Sequence, residues 1–203
     1  MITEDTLQKN TAMRTADTDR ICGESWRLAI FAFGTAIVFQ KRSRRYRSLV
    51  RALTFMGIVV PVLIGSVVLG FGLHSGFLPW LLGIASAAVV CQLVLSTWAI
   101  VYGWSDGLEY ALESAADNFE LSGRFKELGT LAVEPPSDLA ARFTIVKTKD
   151  DARRSADSKK SVTEKELRYG HRAALRQFER QCEGCKQVPQ SMDSTDCPIC
   201  GRF

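Results

Sequence analysis

The sequence predicts an all-α membrane protein: a two-span antiparallel transmembrane helical hairpin with long cytoplasmic helical extensions and a small cysteine-built tail. Three observations predict it. From Ala52 to Ser105 the chain runs 54 residues without one Asp, Glu, Lys or Arg, and a polar break divides the run into near-equal halves. Six cations stand directly before that run. Four of the six cysteines fall within the last 22 residues. The whole-chain figures, a mean hydropathy of zero and a net charge of +4, average these contrasting regions away.

Residues 1–20 are polar, rich in Thr and Asp, and are expected to be a disordered N-terminus. From about Asp19 a helix is expected, because Trp26, Ile30, Phe33 and Ile37 recur at spacings of 4, 3 and 4 and make one apolar stripe. The apolar run Leu28–Phe39 has the length of a signal-peptide core, but no small-residue cleavage site follows it, so no processing is expected. At 12 residues it covers only about 18 Å as a helix, too little to cross a bilayer.

The helix should run on through QKRSRRYRSLVR, which carries Lys41, Arg42, Arg44, Arg45, Arg47 and Arg51 and no acid. Since the chain nets +4, removing these six cations leaves −2 for the rest. The first span, residues 52–73, and the second, residues 79–102, would be helices of roughly 33 and 36 Å against a hydrocarbon core of about 30 Å. HSGFLP, with its Gly and Pro, suits a tight turn between them. A hairpin buried in a soluble core would read similarly, but 203 residues leave too little polar chain to wrap it. Cations flank the first span and the turn has none, so the positive-inside rule keeps the N-terminal side in the cytoplasm and an even span count returns the tail there. The expected location is the bacterial inner membrane, multi-pass, with both termini cytoplasmic. Pro61 should bend the first span or loosen one turn.

Past Ser105, Asp106, Glu109, Glu113, Asp117 and Glu120 form an acidic stripe, with Leu108, Leu112, Ala115 and Phe119 as an apolar stripe beside it. The second span is therefore expected to continue as a cytoplasmic helix. Arg44 and Arg45 would lie near Glu109 and Glu113 and pair with them, the alternative being that the cations meet anionic lipid headgroups. The helical pattern fades over Gly123–Gly129, which closes a two-span domain at 21–130. Residues 131–162 read as a linker, marked by EPPSD and by the polar, mixed-charge stretch Lys147–Lys160. Residues 163–203 follow as a helix and tail, with Ser161 and Glu164 at capping-box spacing.

In the tail, Cys182 and Cys185 form one CxxC turn and Cys197 and Cys200 another, with 11 residues between them. Two such turns can bring four thiolates to one point, the tetrahedral shell that zinc accepts, hence a zinc-ribbon-like tail. Pro198, Gly201 and Gly184 suit tight turns around the sulfurs. Iron uses much the same turns, so the metal's identity stays open. A disulfide framework would need an oxidising compartment. Four protein ligands leave no open position, so the metal is expected to be structural and to supply most of the tail's folding energy. Cys91 reads as a packing residue and Cys22 has no evident partner.

Within the second span, Gln92, Ser96 and Thr97 read as one face, either helix-packing or pore-lining in an oligomer. Gly83 and Ala87 have the small-xxx-small spacing of close helix packing. No catalytic constellation is evident: His74 and His171 stand apart from any motif-spaced nucleophile or acid, and the chain is not expected to be an enzyme. No phosphate-binding loop occurs, and the position of the basic cluster argues for topogenesis rather than nucleic-acid binding.

The stretch AFGTAIVFQKRSRRYRSLVRALTFMGI (Ala32–Ile58), within an architecture spanning residues 21–125, resembles the SLATT family of bacterial two-transmembrane effectors. The tail's spacing resembles that of the bacterial mobilome CxxCx(11)CxxC proteins, which look like a SLATT hairpin with a metal-binding C-terminus. The resemblance implies residence in a mobile-element or antiviral conflict system, and it carries the metal role onto Cys182, Cys185, Cys197 and Cys200. It also implies a homo-oligomer that perturbs the membrane on a nucleotide signal made or sensed by a partner protein. The metal tail departs from the general SLATT pattern, and no residue pattern here would bind a nucleotide. A non-toxic membrane anchor whose zinc-bound tail recruits a cytoplasmic partner is the alternative.

Overall fold

The protein is described from a computed structural model covering the backbone of residues 4–71, 78–130 and 136–203 and, within these, side chains other than those of 4–15, 67–68, 71, 78, 81 and 136–137. The described residues hold five helices and no strand: α1 (Glu4–Phe71), α2 (Leu78–Val101), α3 (Trp104–Thr130), α4 (Pro136–Ser158) and α5 (Glu164–Gln177). They divide into two compact units, one of residues 1–40 with 112–203 and one of residues 41–111. Helix α1 contributes to both. It begins at Glu4, well before the expected Asp19, and runs unbroken through the basic cluster and through Pro61. The turn that holds His74 lies outside the described residues.

The unit of residues 41–111 is an α-helical hairpin whose apolar side chains face outward. Helices α1 and α2 are each long and apolar enough to cross a membrane; none of the most apolar stretch of α1, and 11% of that of α2, is buried. Phe55, Ile58, Val62, Leu69, Trp80, Ile84, Val90, Leu93 and Ile100 are all exposed. The seam uses small and medium residues instead: Leu53, Gly57, Val60 and Ile64 on α1, Ala85, Ala88, Gln92, Ser96 and Ala99 on α2. Gln92 Nε2 lies 2.9 Å from where a Cβ on Gly57 would stand, which sets the register. Counting outward from that pair in antiparallel helices brings Arg51 level with Trp98, and Leu69 level with Trp80, about 27 Å apart along the axis.

Helix α2 does not continue into α3 as expected. The chain breaks at Tyr102–Gly103, where Gly103 takes φ +59°, the left-handed conformation that glycine adopts without penalty at a helix end. Its amide bonds the Ile100 carbonyl at 3.0 Å, its carbonyl accepts from Gly107 at 2.8 Å, and Trp98 stacks on Tyr102.

In the other unit α1, α3 and α4 pack around Leu28, Ala29, Ala32, Leu121, Phe125, Leu128, Leu139 and Val146. Of the apolar stripe that sequence placed on α1, Ile30 packs against a cluster of Leu175, Cys182 and Cys200, and Phe33 makes edge contacts with Phe119 and Phe178. Helix α3 extends through Gly123 to Thr130 instead of fading, and Gly129 is where it passes Trp26, whose Nε1 donates to the Gly129 carbonyl at 3.1 Å. A Cβ there would come within 2.8 Å of the indole.

Lys147–Lys160, expected to be a flexible linker, is helical through Ser158. Polarity misled the reading, because the polar groups of α4 face partners rather than water. Buried Asp157 accepts from Ser114 and Asn118 at 2.8 Å each and pairs with Arg153 at 3.0 Å. Arg153, its side chain only 9% exposed, also reaches Glu113 at 3.1 Å and Asp117 at 2.9 Å. A buried charge set of this kind persists only when every member is matched. The acidic stripe of α3 thus meets α4: Glu113, expected beside Arg44 and Arg45, pairs with Arg153, while Arg44, Arg45 and Glu109 are exposed.

Candidate metal centre

Helix α5 begins at Thr163, whose side chain accepts from the Glu166 amide while Glu166 bonds back to the Thr163 amide. The capping box is two residues later than the Ser161–Glu164 reading, which had the same spacing and chemistry. The helix stops at Phe178, and Glu179 turns the chain with φ 51°. A short segment leads to the cysteines.

Two turns of like geometry follow. In the first, the Lys186 amide donates to the Cys182 carbonyl at 2.8 Å; in the second, the Gly201 amide donates to the Cys197 carbonyl at 2.9 Å. Lys186 and Gly201 each follow the second cysteine of their pair. The turns face each other, with Cys182 Sγ 3.9 Å from Cys197 Sγ and Cys185 Sγ 3.8 Å from Cys200 Sγ. All four sulfurs lie within 4.8 Å of one another, and none is in a disulfide.

These distances suit one ion held by four thiolates. With metal–sulfur bonds of about 2.3 Å, a tetrahedron has sulfur–sulfur edges of about 3.8 Å. Backbone N–H groups of Cys200 and Ile199 hold the Cys197 thiol down to about 6, whereas burial and the neighbouring sulfurs push Cys200 well up. An incoming cation would take the sulfurs as thiolates and release protons. Gly184 is placed where a Cβ would come within 3.3 Å of Cys197 Sγ, so its small size admits the second turn to the cluster.

One residue that sequence reasoning missed completes the site. Arg172 of α5 is buried, and its guanidinium donates to the Ser191 carbonyl at 2.8 Å, to Thr195 Oγ1 and the Cys200 carbonyl at 3.3 Å each, and points at Cys200 Sγ at 3.9 Å. It ties the loop between the turns to the helix. An Arg among five other charged residues on a short helix carries no sequence signal for this.

The other residues singled out from sequence are distributed differently. Gln92 and Ser96 lie in the hairpin seam, while Thr97, one residue on and about 100° around the helix, is exposed and donates to its own helix at the Leu93 carbonyl, 2.9 Å. Gly83 and Ala87 face outward, away from α1. Arg44, Arg45, Arg47 and Arg51 are exposed. His171 is half-buried in α5, and burial holds its imidazole below the usual value. Cys22 contacts the Leu128 carbonyl, and Cys91 is exposed.

No curated protein matches the chain, and neither does any solved structure. One protein family does match, over residues 23–203, and its description states the cysteine spacing that builds this centre. The chain belongs to the mobilome CxxCx(11)CxxC protein family.

Proposed function

We propose that the protein is a two-span component of the bacterial inner membrane, with both ends in the cytoplasm, serving a mobile-element conflict system as a membrane-perturbing effector. The observation that carries the membrane placement is the inverted hairpin: large apolar side chains outward, small residues and Gln92 at the seam. In water such a surface would be an aggregation liability. In lipid it needs no cover. The levels of Arg51 with Trp98 and of Leu69 with Trp80, about 27 Å apart, match a hydrocarbon core bounded by cationic and aromatic side chains. Arg44, Arg45, Arg47 and Arg51 meet headgroups there, each contributing about 1 kcal/mol. Zinc, held by Cys182, Cys185, Cys197 and Cys200, is the proposed metal and is structural.

The effector role rests on the mobile-element family and on the SLATT resemblance. Several copies would assemble and rearrange when a partner protein, making or sensing a nucleotide, engages the cytoplasmic part. The adaptor reading has one observation in its favour: Thr54, Ser66 and Thr97 bond back to their own helices and Gln92 is drawn into the hairpin seam beside Gly57, away from the lipid-facing side. Controlled expression in a bacterium, with membrane potential and dye entry as readouts, separates the two. Depolarisation and dye entry on triggering are expected of the effector; a membrane that stays sealed assigns the adaptor role.

A further inference from the structure

We infer that metal occupancy of the four-cysteine centre controls whether α5 stays docked on α1, so that the tail is a metal-dependent clasp on the helix that enters the first span. The inference rests on the reading that the tail binds a metal.

Helix α5 is held from two sides. Toward α1 it presents Gly170, Ala174 and Phe178 at spacings of four. Gly170 meets Gly34 backbone to backbone: a Cβ on Gly170 would run into the Gly34 carbonyl oxygen and come within 2.9 Å of Val38. Phe178 edges against Trp26 and Phe33, with ring centroids 6.0 and 5.4 Å apart. Toward the tail, Leu175 packs on Cys182 and Cys200, and Arg172 holds Ser191, Thr195 and Cys200. Ile30 of α1 packs against the cluster of Leu175, Cys182 and Cys200, and it lines one cavity with Ile199 of the tail, so the tail lies beside both helices.

The two sides differ in what they can hold alone. A glycine crossing buries little apolar area and Ala174 adds one methyl, so the larger contributions come from Phe178 and from Leu175, whose cluster with Cys182 and Cys200 is joined by Ile30 of α1. A 14-residue helix is marginal without tertiary support. The tail supplies the missing support, but it has no helix or strand of its own after Gln177, and a few turn bonds do not fold such a segment without its ion. Losing the metal therefore removes the tail, and with it half the support of α5. The α1–α3–α4 core around Phe125 and Leu128 includes no α5 residue and stays intact. What changes is the cover over Ile30, Phe33 and Gly34, on the helix that continues into the hairpin.

Hydrogen exchange on the full chain in detergent or nanodiscs, with zinc counted by elemental analysis, tests this. Zinc-loaded protein should protect α5, and stripping with a chelator should speed exchange across Glu164–Gln177 at least tenfold while leaving Leu121–Leu128 unchanged. Gly170→Val should reproduce that exchange while keeping one zinc per chain, with Gly34→Ala, whose Cβ would meet Gly170 at 3.0 Å, giving a smaller effect in the same direction. Unchanged Leu121–Leu128 protection certifies that each variant has folded. Bound zinc with α5 equally protected before and after stripping overturns the clasp and leaves the metal site standing. Wild-type protein that takes up no metal overturns both.

Discussion

The two units of this chain solve opposite problems with the same helix. In residues 1–40 with 112–203, α1 turns Leu28, Ala29 and Ala32 inward to an apolar core, and the charged groups of α3 and α4 gather on Arg153, which meets Glu113, Asp117 and Asp157. In residues 41–111 the same helix turns Phe55, Ile58 and Val62 outward, and keeps small residues for the seam. Polar side chains there bond back to their own helix at Thr54 and Ser66. The contrast teaches that helix periodicity reports which residues share a face, not which face is dry; the surrounding solvent decides that.

Tests of that contrast can be ordered by size. Serine at both Cys182 and Cys197 should take bound metal from one per chain to none by elemental analysis and render residues 178–203 protease-sensitive. The tail would be exempt from this dependence if stoichiometric zinc remained.

Matched truncations sharpen the comparison directly. Leu128→Ala, in the core, should cost about 2–5 kcal/mol, whereas Leu93→Ala, outward on the hairpin, should cost under about 0.5 kcal/mol in a bilayer mimic. Equal costs would mean that the hairpin buries Leu93 after all. Next comes Asp157→Ala, which takes the acceptor from buried Ser114 and Asn118 while Arg153 keeps Glu113 and Asp117; thermal or chaotrope unfolding should show a loss of about 1–3 kcal/mol. A change within about 0.5 kcal/mol would mean that the network is solvated. The smallest effect is on acidification. Burial keeps His171 neutral in the fold, with its folded pKa below the usual 6.5 despite Glu183 nearby. The unfolded chain therefore takes the proton first, and stability present above about pH 6.5 is lost as pH falls toward the folded value, by at most about 1.4 kcal/mol per pH unit. His171→Gln should flatten that slope when unfolding is followed from pH 7.5 to 5 with zinc in excess; an unchanged slope would assign it to other groups.

The hairpin was the most legible part, because 54 uncharged residues leave little else for the chain to do. The cysteine centre was equally readable, since its chemistry is local: four ligands, two turns, one spacing. What sequence obscured was tertiary. Lys147–Lys160 looks like linker because nothing local says that Asp157 will find Ser114 and Asn118, 43 and 39 residues away. The acidic stripe is visible in the sequence, but no local signal says that Glu113 and Asp117 will meet Arg153, 40 and 36 residues on. Gly123 and Gly129 weaken helix propensity, yet packing against Trp26 overrides it at Gly129. Ser161 and Thr163 offer the same capping chemistry two residues apart, and only the structure selects between them.

The most direct test of the account is where the chain resides and which way its tail points. Bacteria expressing it should be lysed without detergent, the membranes washed with alkaline carbonate, and intact spheroplasts treated in parallel with external protease. The account predicts a carbonate-resistant membrane protein whose tail, from Cys182 to Phe203, survives until the membrane is opened. Recovery in the soluble fraction, or a tail cut from outside sealed cells, would contradict it.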